Sequence, residues 1–234
     1  MILHGYADRL EFMAPLADSL GAGYRVIVLD HRGFGQSTKF SDPERYGDEM
    51  SDDVIGLLDH LQIPRAHLIG HSMGAVIAED VALRYPSRVE SVSLIAGPFY
   101  ADSAQFAAMT KPWLDDLAKG KGLVRFLVWL FPGIPDTTAA EYSRQALAAN
   151  DMGAMQAAMP AMAELMVPAG ARPDTSIEVL LVVGTGDPLL ANSRALKRLW
   201  PAAALVEVAG ADHDNVRAKG ETVAAIREVV KGGR

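Results

Sequence analysis

The stretch LIGHSMGAVIA, Leu68 to Ala78, places one serine between two glycines, directly after an apolar run and directly before a helix-like one. The pattern G-x-S-x-G also occurs by chance, so its position in the chain decides how it is interpreted. Ser72 stands where a predicted strand ends and a predicted helix begins. A sharp strand-to-helix turn at that point lifts the serine oxygen clear of the sheet, and Gly70 and Gly74 leave room for it. The stretch therefore predicts a serine nucleophile at the carboxyl end of a buried strand.

The rest of the chain repeats this alternation of short apolar runs and longer amphipathic ones. The short runs are almost continuously apolar, which is typical of parallel strands buried on both faces. The alternation predicts an α/β fold, with a doubly wound, mostly parallel sheet of about six strands. The predicted strands are Ile2–His4, Val26–Asp30, His67–Gly70, Val92–Ala96, Val179–Gly184 and Leu205–Ala209. The predicted helices are Leu10–Leu20, Asp48–Leu61, Met73–Tyr85, Arg194–Trp200 and Val216–Val230.

One segment, from Gly97 to about Asp174, contains no convincing strand and is too long for a connecting loop. Its sequence is rich in alanine, methionine and leucine, so we expect a helical insertion over 97–174, between core segments 1–96 and 175–234. Prolines interrupt it at Pro112, Pro132, Pro135, Pro160 and Pro168. Six of the ten methionines fall here, which suits either a helical core or an adaptable apolar pocket. The aromatic residues that we expect to contact substrate are Trp113, Phe126, Trp129 and Phe131.

A serine needs a general base to become a nucleophile. In a fold of this kind the base follows the last strand, downstream of the serine and the acid. Of the six histidines only His213 stands there, and a metal site at Asp212 and Asp214 is disfavoured because adjacent residues rarely converge on one ion. His71 is expected to point off the other side of the turn.

The acid that orients the histidine is expected at the end of the penultimate strand. Asp187 lies there, in the glycine-flanked turn of LLVVGTGDPLL. Asp102, after the strand that ends at Ala96, is the alternative acid.

Two backbone amides are expected to form the oxyanion hole. The first predicted strand ends at His4-Gly5, so the N–H of Tyr6 is placed to meet that of Met73, which follows the serine. His4 is expected to order the turn. The glycine-rich stretch Leu29 to Ser37 lacks the spacing of phosphate-binding loops. Its residues Asp30, Arg32 and Ser37 are expected to tie this loop together.

Composition excludes several classes of protein. With a net charge of −7 the chain lacks the basic surface that nucleic acids or anionic membranes require. The absence of cysteine excludes disulfides, thiolate zinc sites and cysteine nucleophiles. No apolar run reaches the roughly 20 residues that span a bilayer. We expect no signal peptide, a cytoplasmic location, and neither a metal nor an organic cofactor.

The motifs H-G, D-x-R-G-x-G-x-S, G-H-S-M-G and G-x-x-D, followed by a late histidine, occur in this order. The chain in this respect resembles the α/β-hydrolase family, its esterase- and lipase-like members in particular. The resemblance implies that Ser72 is the nucleophile, Asp187 the acid and His213 the base. It also implies that Gly97–Asp174 forms a cap domain over the site.

The chain departs from the family at its front, where relatives usually carry two further strands. One of them would pair with Val26–Asp30, so that strand is expected to form an uncovered, apolar sheet edge. We expect either a shortened version of a longer protein or a homodimer in which a second copy covers the edge.

Hydrolysis of a carboxylic ester with an apolar acyl or aromatic group is the leading functional prediction. Cleavage of a carbon–carbon bond and peracid chemistry use the same three residues and stay open. A non-catalytic ligand receptor on the same scaffold is the alternative from another class. Dehalogenases and epoxide hydrolases carry an aspartate in place of Ser72, so they are disfavoured.

Overall fold

The computed structural model describes residues 1–21, 23–100, 102–166 and 170–232. Within these ranges six strands form one sheet in the order β2-β1-β3-β4-β5-β6, and every neighbouring pair is parallel. The predicted α/β fold and its parallel sheet are therefore confirmed. The strands are β1 (Ile2–Leu3), β2 (Val28–Leu29), β3 (Ala66–His71), β4 (Val89–Ile95), β5 (Glu178–Gly184) and β6 (Ala204–Val208).

Helices cover both faces of the sheet, and adjacent strand residues point into opposite cores. Leu68 and Leu181 join one core with α2, α3 and α8. Ile69 and Leu180 join the other with α1 and α9. This double burial explains why the strands have continuous apolar sequences. The helices are α1 (Ala14–Leu20), α2 (Asp48–His60), α3 (Met73–Arg84), α4 (Ser103–Ala118), α5 (Val124–Leu130), α6 (Asp136–Ala149), α7 (Met152–Ala161), α8 (Leu190–Leu199) and α9 (Gly220–Gly232).

The direction of winding reverses beside β1. Leu3 pairs with Leu29 of β2 on one side and with Gly70 of β3 on the other. In open parallel sheets, the crevice outside the carboxyl ends of the strands at such a reversal is where ligands bind. The turn that carries Ser72 opens into this crevice.

The insertion is helical, as predicted, and consists of α4 to α7 with a 3₁₀ turn at Met162–Leu165. Pro112 and Pro160 lie inside α4 and α7, so the expectation that they interrupt the helices is wrong. Phe106 and Met155 belong to the same hydrophobic core as the α2–α3 face of the sheet. The insertion thus packs into one of the two cores; its boundaries at 97 and 174 stay a prediction, and Pro168 lies outside the described residues.

Strand β2 lies at an edge of the sheet, as expected, but it pairs over only Val28 and Leu29. Residues 26–29 are half-buried, so the edge is partly open. A homodimer that covers this edge stays a prediction. In the described ranges no helix has the length and apolarity needed to cross a bilayer.

Candidate active site

Ser72 occupies the turn between β3 and α3 with φ 54° and ψ −117°, a conformation that non-glycine residues rarely adopt. The turn also needs a glycine on each side of this serine, because a side chain at either position would collide with the backbone. A Cβ on Gly70 would lie 2.1 Å from the carbonyl oxygen of Gly74, and one on Gly74 would lie 2.3 Å from that of Leu3. The amide of Ser72 donates to Ile95 O at 2.9 Å, which ties the turn to β4. The two glycines of the sequence pattern are therefore required by close backbone packing.

His213 and Asp187 lie together on the loops that follow β6 and β5. His213 Nδ1 is 2.9 Å from Asp187 Oδ2, and the two side chains are 4 % and 0 % exposed. The other carboxylate oxygen accepts from the amide of Leu189 at 2.8 Å. A carboxylate only accepts hydrogen bonds, so Nδ1 carries a proton, and in the neutral imidazole the free lone pair is therefore on Nε2. The imidazole is thereby prepared to accept a proton at Nε2.

A cavity of about 1040 Å³ adjoins both Ser72 and His213. We call it the main cavity; Gly5, Ser72, Phe131, His213 and Arg217 are among the residues that line it. Within the described part of the chain, Ser72 Oγ makes no hydrogen bond at 3.5 Å or less. Hydrogen bonds of this kind are often long before substrate binds. The structure thus joins His213 to Asp187 and places Ser72 on the same cavity wall; direct contact between Ser72 Oγ and His213 Nε2 stays a prediction.

Two unused amide donors lie beside the serine. In the described ranges neither the N–H of Tyr6 nor that of Met73 donates a hydrogen bond. The backbone after β1 passes close to the turn, since a Cβ on Gly5 would lie 3.2 Å from Ser72 Cβ. Met73 is the first residue of α3, where the helix dipole adds partial positive charge. Both donors are therefore available to a ligand oxygen.

Comparison with known proteins places the chain in a family. A family model described as "alpha/beta hydrolase fold" matches residues 1–140, more than half of the chain. The chain belongs to the α/β-hydrolase family. A thermophilic esterase from Thermogutta terrifontis shares its fold with a TM-score of 0.75 at 25% identity, over 99% of this chain and 89% of that one.

Curated relatives match this α/β-hydrolase over shorter stretches. The acetyltransferase component of an acetoin-cleaving system from Pseudomonas putida is 44% identical over 96 residues, which is 41% of this chain and 26% of that protein. A 2-hydroxy-6-oxo-6-phenylhexa-2,4-dienoate hydrolase from Comamonas testosteroni is 38% identical over 105 residues, 45% of this chain and 35% of that protein. The aligned stretches thus cover about a quarter to a third of these relatives.

The four aromatic residues predicted to contact substrate all line spaces that Ser72 also lines. Phe126 and Phe131 border the main cavity. Phe126 also borders a second space of about 30 Å³, the side chamber, together with Trp113 and Trp129. Their contact with a substrate stays a prediction.

Asp102, the alternative acid, lies elsewhere in this α/β-hydrolase. It is exposed and caps α4, accepting from the amide of Ala104 at 2.8 Å. The described residues contain no group of three or more metal-ligating side chains placed to hold an ion.

The residues expected to order the loops do so. His4 Nε2 accepts from the amide of His31 at 3.0 Å, and Nδ1 donates to Gly5 O at 2.8 Å. Burial lowers the pKa of His4 to about 4, so it stays neutral near pH 7. Asp30 accepts from the amides of Leu10 and Gln36, both at 2.8 Å.

Two further loop contacts agree with the prediction. Ser37 Oγ donates to Asp30 O at 2.6 Å, and Arg32 forms a two-point ion pair with Asp53 at 2.6 and 2.7 Å. These contacts hold the loop after β2 in place beside the crevice.

His71 differs from expectation, because it contacts His213, the predicted base, instead of pointing off the other side of the turn. Its Nε2 lies 2.8 Å from His213 O, and the two ring centroids are 5.0 Å apart. Burial holds the pKa of His71 well below its ordinary value, so the neutral ring donates Nε2–H to that carbonyl. The sequence places His71 beside Ser72 but gives no sign of a contact with His213, 142 positions away.

His71 should therefore position His213. His71→Leu removes the donor to a buried carbonyl and should lower kcat about 10- to 100-fold with little change in KM, since small displacements of reacting groups cost that much. His71→Gln keeps an N–H donor and should recover most of the loss. Steady-state kinetics on one ester for the three proteins checks this. Equal kcat values for the leucine and glutamine variants would contradict a positioning role.

A second contact that the sequence does not reveal joins the loop after β1 to the loop of His213. Arg217, 8 % exposed, pairs with Asp214 at 2.8 Å and with Asp8 at 3.5 Å. All three line the main cavity. Burial raises the pKa of Asp8 to about 6, although Arg217 lowers it. Asp8 and Arg217 are 209 residues apart in the sequence, so neither a motif nor a spacing indicates their contact.

This raised pKa predicts a pH-dependent stability. The folded protein keeps the Asp8 proton up to about pH 6, whereas the unfolded chain loses it near pH 3.8. Asp8 by itself should therefore lower the free energy of unfolding by up to about 3 kcal/mol as the pH rises from 4 to 7. Buried histidines such as His4, whose pKa is lowered to about 4, act in the opposite direction over the same range. Asp8→Asn removes only the Asp8 contribution, so the difference in unfolding free energy between the wild type and this variant should shrink as the pH rises. Urea unfolding at both pH values checks it, and parallel pH dependences of the two proteins would contradict it.

Proposed function

We propose that this α/β-hydrolase is a serine hydrolase that cleaves carboxylic esters through an acyl-enzyme on Ser72. The observation that carries the proposal is the buried His213–Asp187 hydrogen bond on the wall of the cavity into which the strained Ser72 turn opens. A serine at such a turn, a histidine with a free Nε2 and a carboxylate that orients it are the parts that nucleophilic acyl transfer requires.

In the first half of the reaction, Ser72 Oγ attacks the ester carbonyl carbon as His213 Nε2 takes its proton. The charge that develops on the carbonyl oxygen is stabilised by the amides of Tyr6 and Met73. One such donor typically contributes about 10²- to 10³-fold in kcat. The imidazolium, stabilised by Asp187, then protonates the leaving oxygen, and the alcohol departs.

The second half releases the acid. Water loses a proton to His213 Nε2 and attacks the acyl carbon. The tetrahedral intermediate uses the same two amides, and its collapse returns the proton from His213 to Ser72 Oγ. The whole cycle uses this chain's own groups and water.

Pre-steady-state hydrolysis of p-nitrophenyl acetate tests the proposal. An acyl-enzyme that forms faster than it breaks down should give a burst of p-nitrophenol close to one per active site, followed by a slower steady rate. Hydrolysis at the rate of the buffer alone, by protein with its native circular dichroism spectrum, would contradict esterase activity. Thermal stabilisation by ligands without turnover would then favour the receptor.

Cleavage of a carbon–carbon bond is the second candidate. It is favoured by the 38% identity, over 105 residues, to the dienoate hydrolase of Comamonas testosteroni. The same residues would serve, with a carbanion as the leaving group in place of an alkoxide. Loss of the chromophore of a 2-hydroxy-6-oxo-dienoate without comparable turnover of esters would support it.

A further inference from the structure

Two spaces of very different size meet at the serine. The main cavity holds about 1040 Å³ and the side chamber about 30 Å³. Both are bordered by Tyr6, Ser72, Phe126 and Leu130. A group attached to Ser72 therefore has one large and one small space in which to place its two substituents.

The position of the base decides which substituent goes where. His213 borders the main cavity, and it is not among the described residues that border the side chamber. In the proposed reaction, His213 must protonate the leaving oxygen, so that oxygen departs on the His213 side. The alcohol part of the ester thus lies in the main cavity, and the acyl substituent points into the side chamber.

The side chamber is small, and the side chains that line it are mostly apolar. Trp113 packs against Trp129 with ring centroids 4.8 Å apart and against Phe126 at 5.0 Å. Met109 and Met159 border the chamber as well. A cavity needs roughly 10–15 Å³ to hold one water molecule, so the 30 Å³ side chamber has room for about two non-hydrogen atoms. That is room for the methyl or ethyl group of an acetyl or propionyl ester.

The main cavity differs in chemistry as well as in size. Its wall combines Leu127 and Phe131 with the charged side chains of Asp8, Asp214 and Arg217. Its volume reaches the upper end of the range found for small-molecule sites, about 300–1,000 Å³. An alcohol part that fills it is large and has polar groups of its own.

We infer that the substrate is an ester between a short acyl group of two or three carbons and a much larger, partly polar alcohol or phenol. The inference rests on the proposed function and specifies its substrate class. The aromatic and methionine side chains around the side chamber set the acyl length, and the main cavity accepts the leaving group.

A series of p-nitrophenyl esters from acetate to octanoate tests the acyl side with the leaving group held constant. For the wild-type protein, kcat/KM should be greatest for acetate or propionate and at least 100-fold lower for octanoate. Phenyl acetate and 4-biphenylyl acetate test the alcohol side, because their phenols are similarly acidic and differ mainly in size. The larger ester should be hydrolysed with equal or greater kcat/KM.

Alanine substitutions at two positions of α5 test the two spaces independently. Trp129 borders the side chamber and Leu127 the main cavity, and both are half-buried in α5. Trp129→Ala should move the optimum to butyrate or hexanoate and raise the hexanoate-to-acetate ratio of kcat/KM at least 10-fold. Leu127→Ala should leave the optimum at the wild-type length. Met109→Ala, also half-buried, repeats the test should Trp129→Ala fold poorly.

The possible outcomes separate this inference about the substrate from the proposed ester hydrolysis on which it rests. A wild-type preference for octanoate, or an unchanged optimum in both chamber variants, would overturn the inference and leave ester hydrolysis standing. Failure of the folded wild-type protein to hydrolyse any of these esters would overturn both.

Discussion

Ser72→Ala should lower kcat for p-nitrophenyl acetate by about 10⁶-fold, the order of loss found when the nucleophile of a serine hydrolase is removed. The substitution deletes the attacking oxygen and leaves the turn intact, because alanine tolerates the backbone as well as serine does. Tyr6 and Met73 still offer their amides, so a small residual rate above that of buffer is expected. Kinetics with purified protein, matched in thermal stability to the wild type, gives the measurement.

Ser93→Ala is the matched control. Ser93 lies on β4, and its buried hydroxyl has no hydrogen-bond partner among the described residues. Its removal should leave kcat within about two-fold of wild type, as is usual for changes away from reacting groups. A Ser72→Ala protein that kept more than a tenth of the wild-type rate would show that another group is the nucleophile.

Asp187→Asn should produce the second-largest loss, about 10³- to 10⁴-fold in kcat. An asparagine amide in this position favours the tautomer of His213 that carries its proton on Nε2, so the lone pair needed for Ser72 is lost. The effect should fall on kcat more than on KM, because Asp187 is buried and is not among the described residues that line the main cavity.

Asp102→Asn separates the two candidate acids. Both asparagine and aspartate cap helices well, so the N-terminus of α4 should be preserved and kcat should stay within about two-fold of wild type. The opposite result, a large loss at Asp102 and a small one at Asp187, would show that the acid had been assigned to the wrong strand.

The sequence predicts most of the fold because its strands are buried on both faces. Continuous apolar runs leave little doubt about which segments lie inside the sheet, and all six predicted strands overlap the observed ones. Boundaries were less accurate where the signal is weak. Helix α8 begins at Leu190, four residues before the predicted start at Arg194, because the turn Asp187–Leu190 runs directly into it.

Two prolines of the insertion give a misleading local signal. A proline inside a helix removes one hydrogen bond and crowds the preceding turn, so Pro112 and Pro160 indicated interruptions. Both lie within helices that are packed against each other, α4 and α7. Tertiary packing there outweighs the local cost, and a sequence pattern does not report such packing.

The candidate site also has a part that the sequence predicts and a part that it does not. The sequence predicts where Ser72, Asp187 and His213 lie, because each follows the end of a strand, and the topology of the sheet brings the loops at these ends together. The contacts of His71 with His213 and of Arg217 with Asp8 could not, because they depend on side-chain directions within loops. These contacts join the three loops around the serine, and no motif carries them.

Mass spectrometry of the protein during turnover tests the central claim most directly. Acid-quenched protein from a p-nitrophenyl acetate reaction should be heavier by one acetyl group, and peptide mapping should place that group on Ser72. The acetylated fraction should fall in the Ser72→Ala protein to the level of unreacted protein. Turnover with Ser72 unmodified, or with the acetyl group on another side chain, would contradict the account.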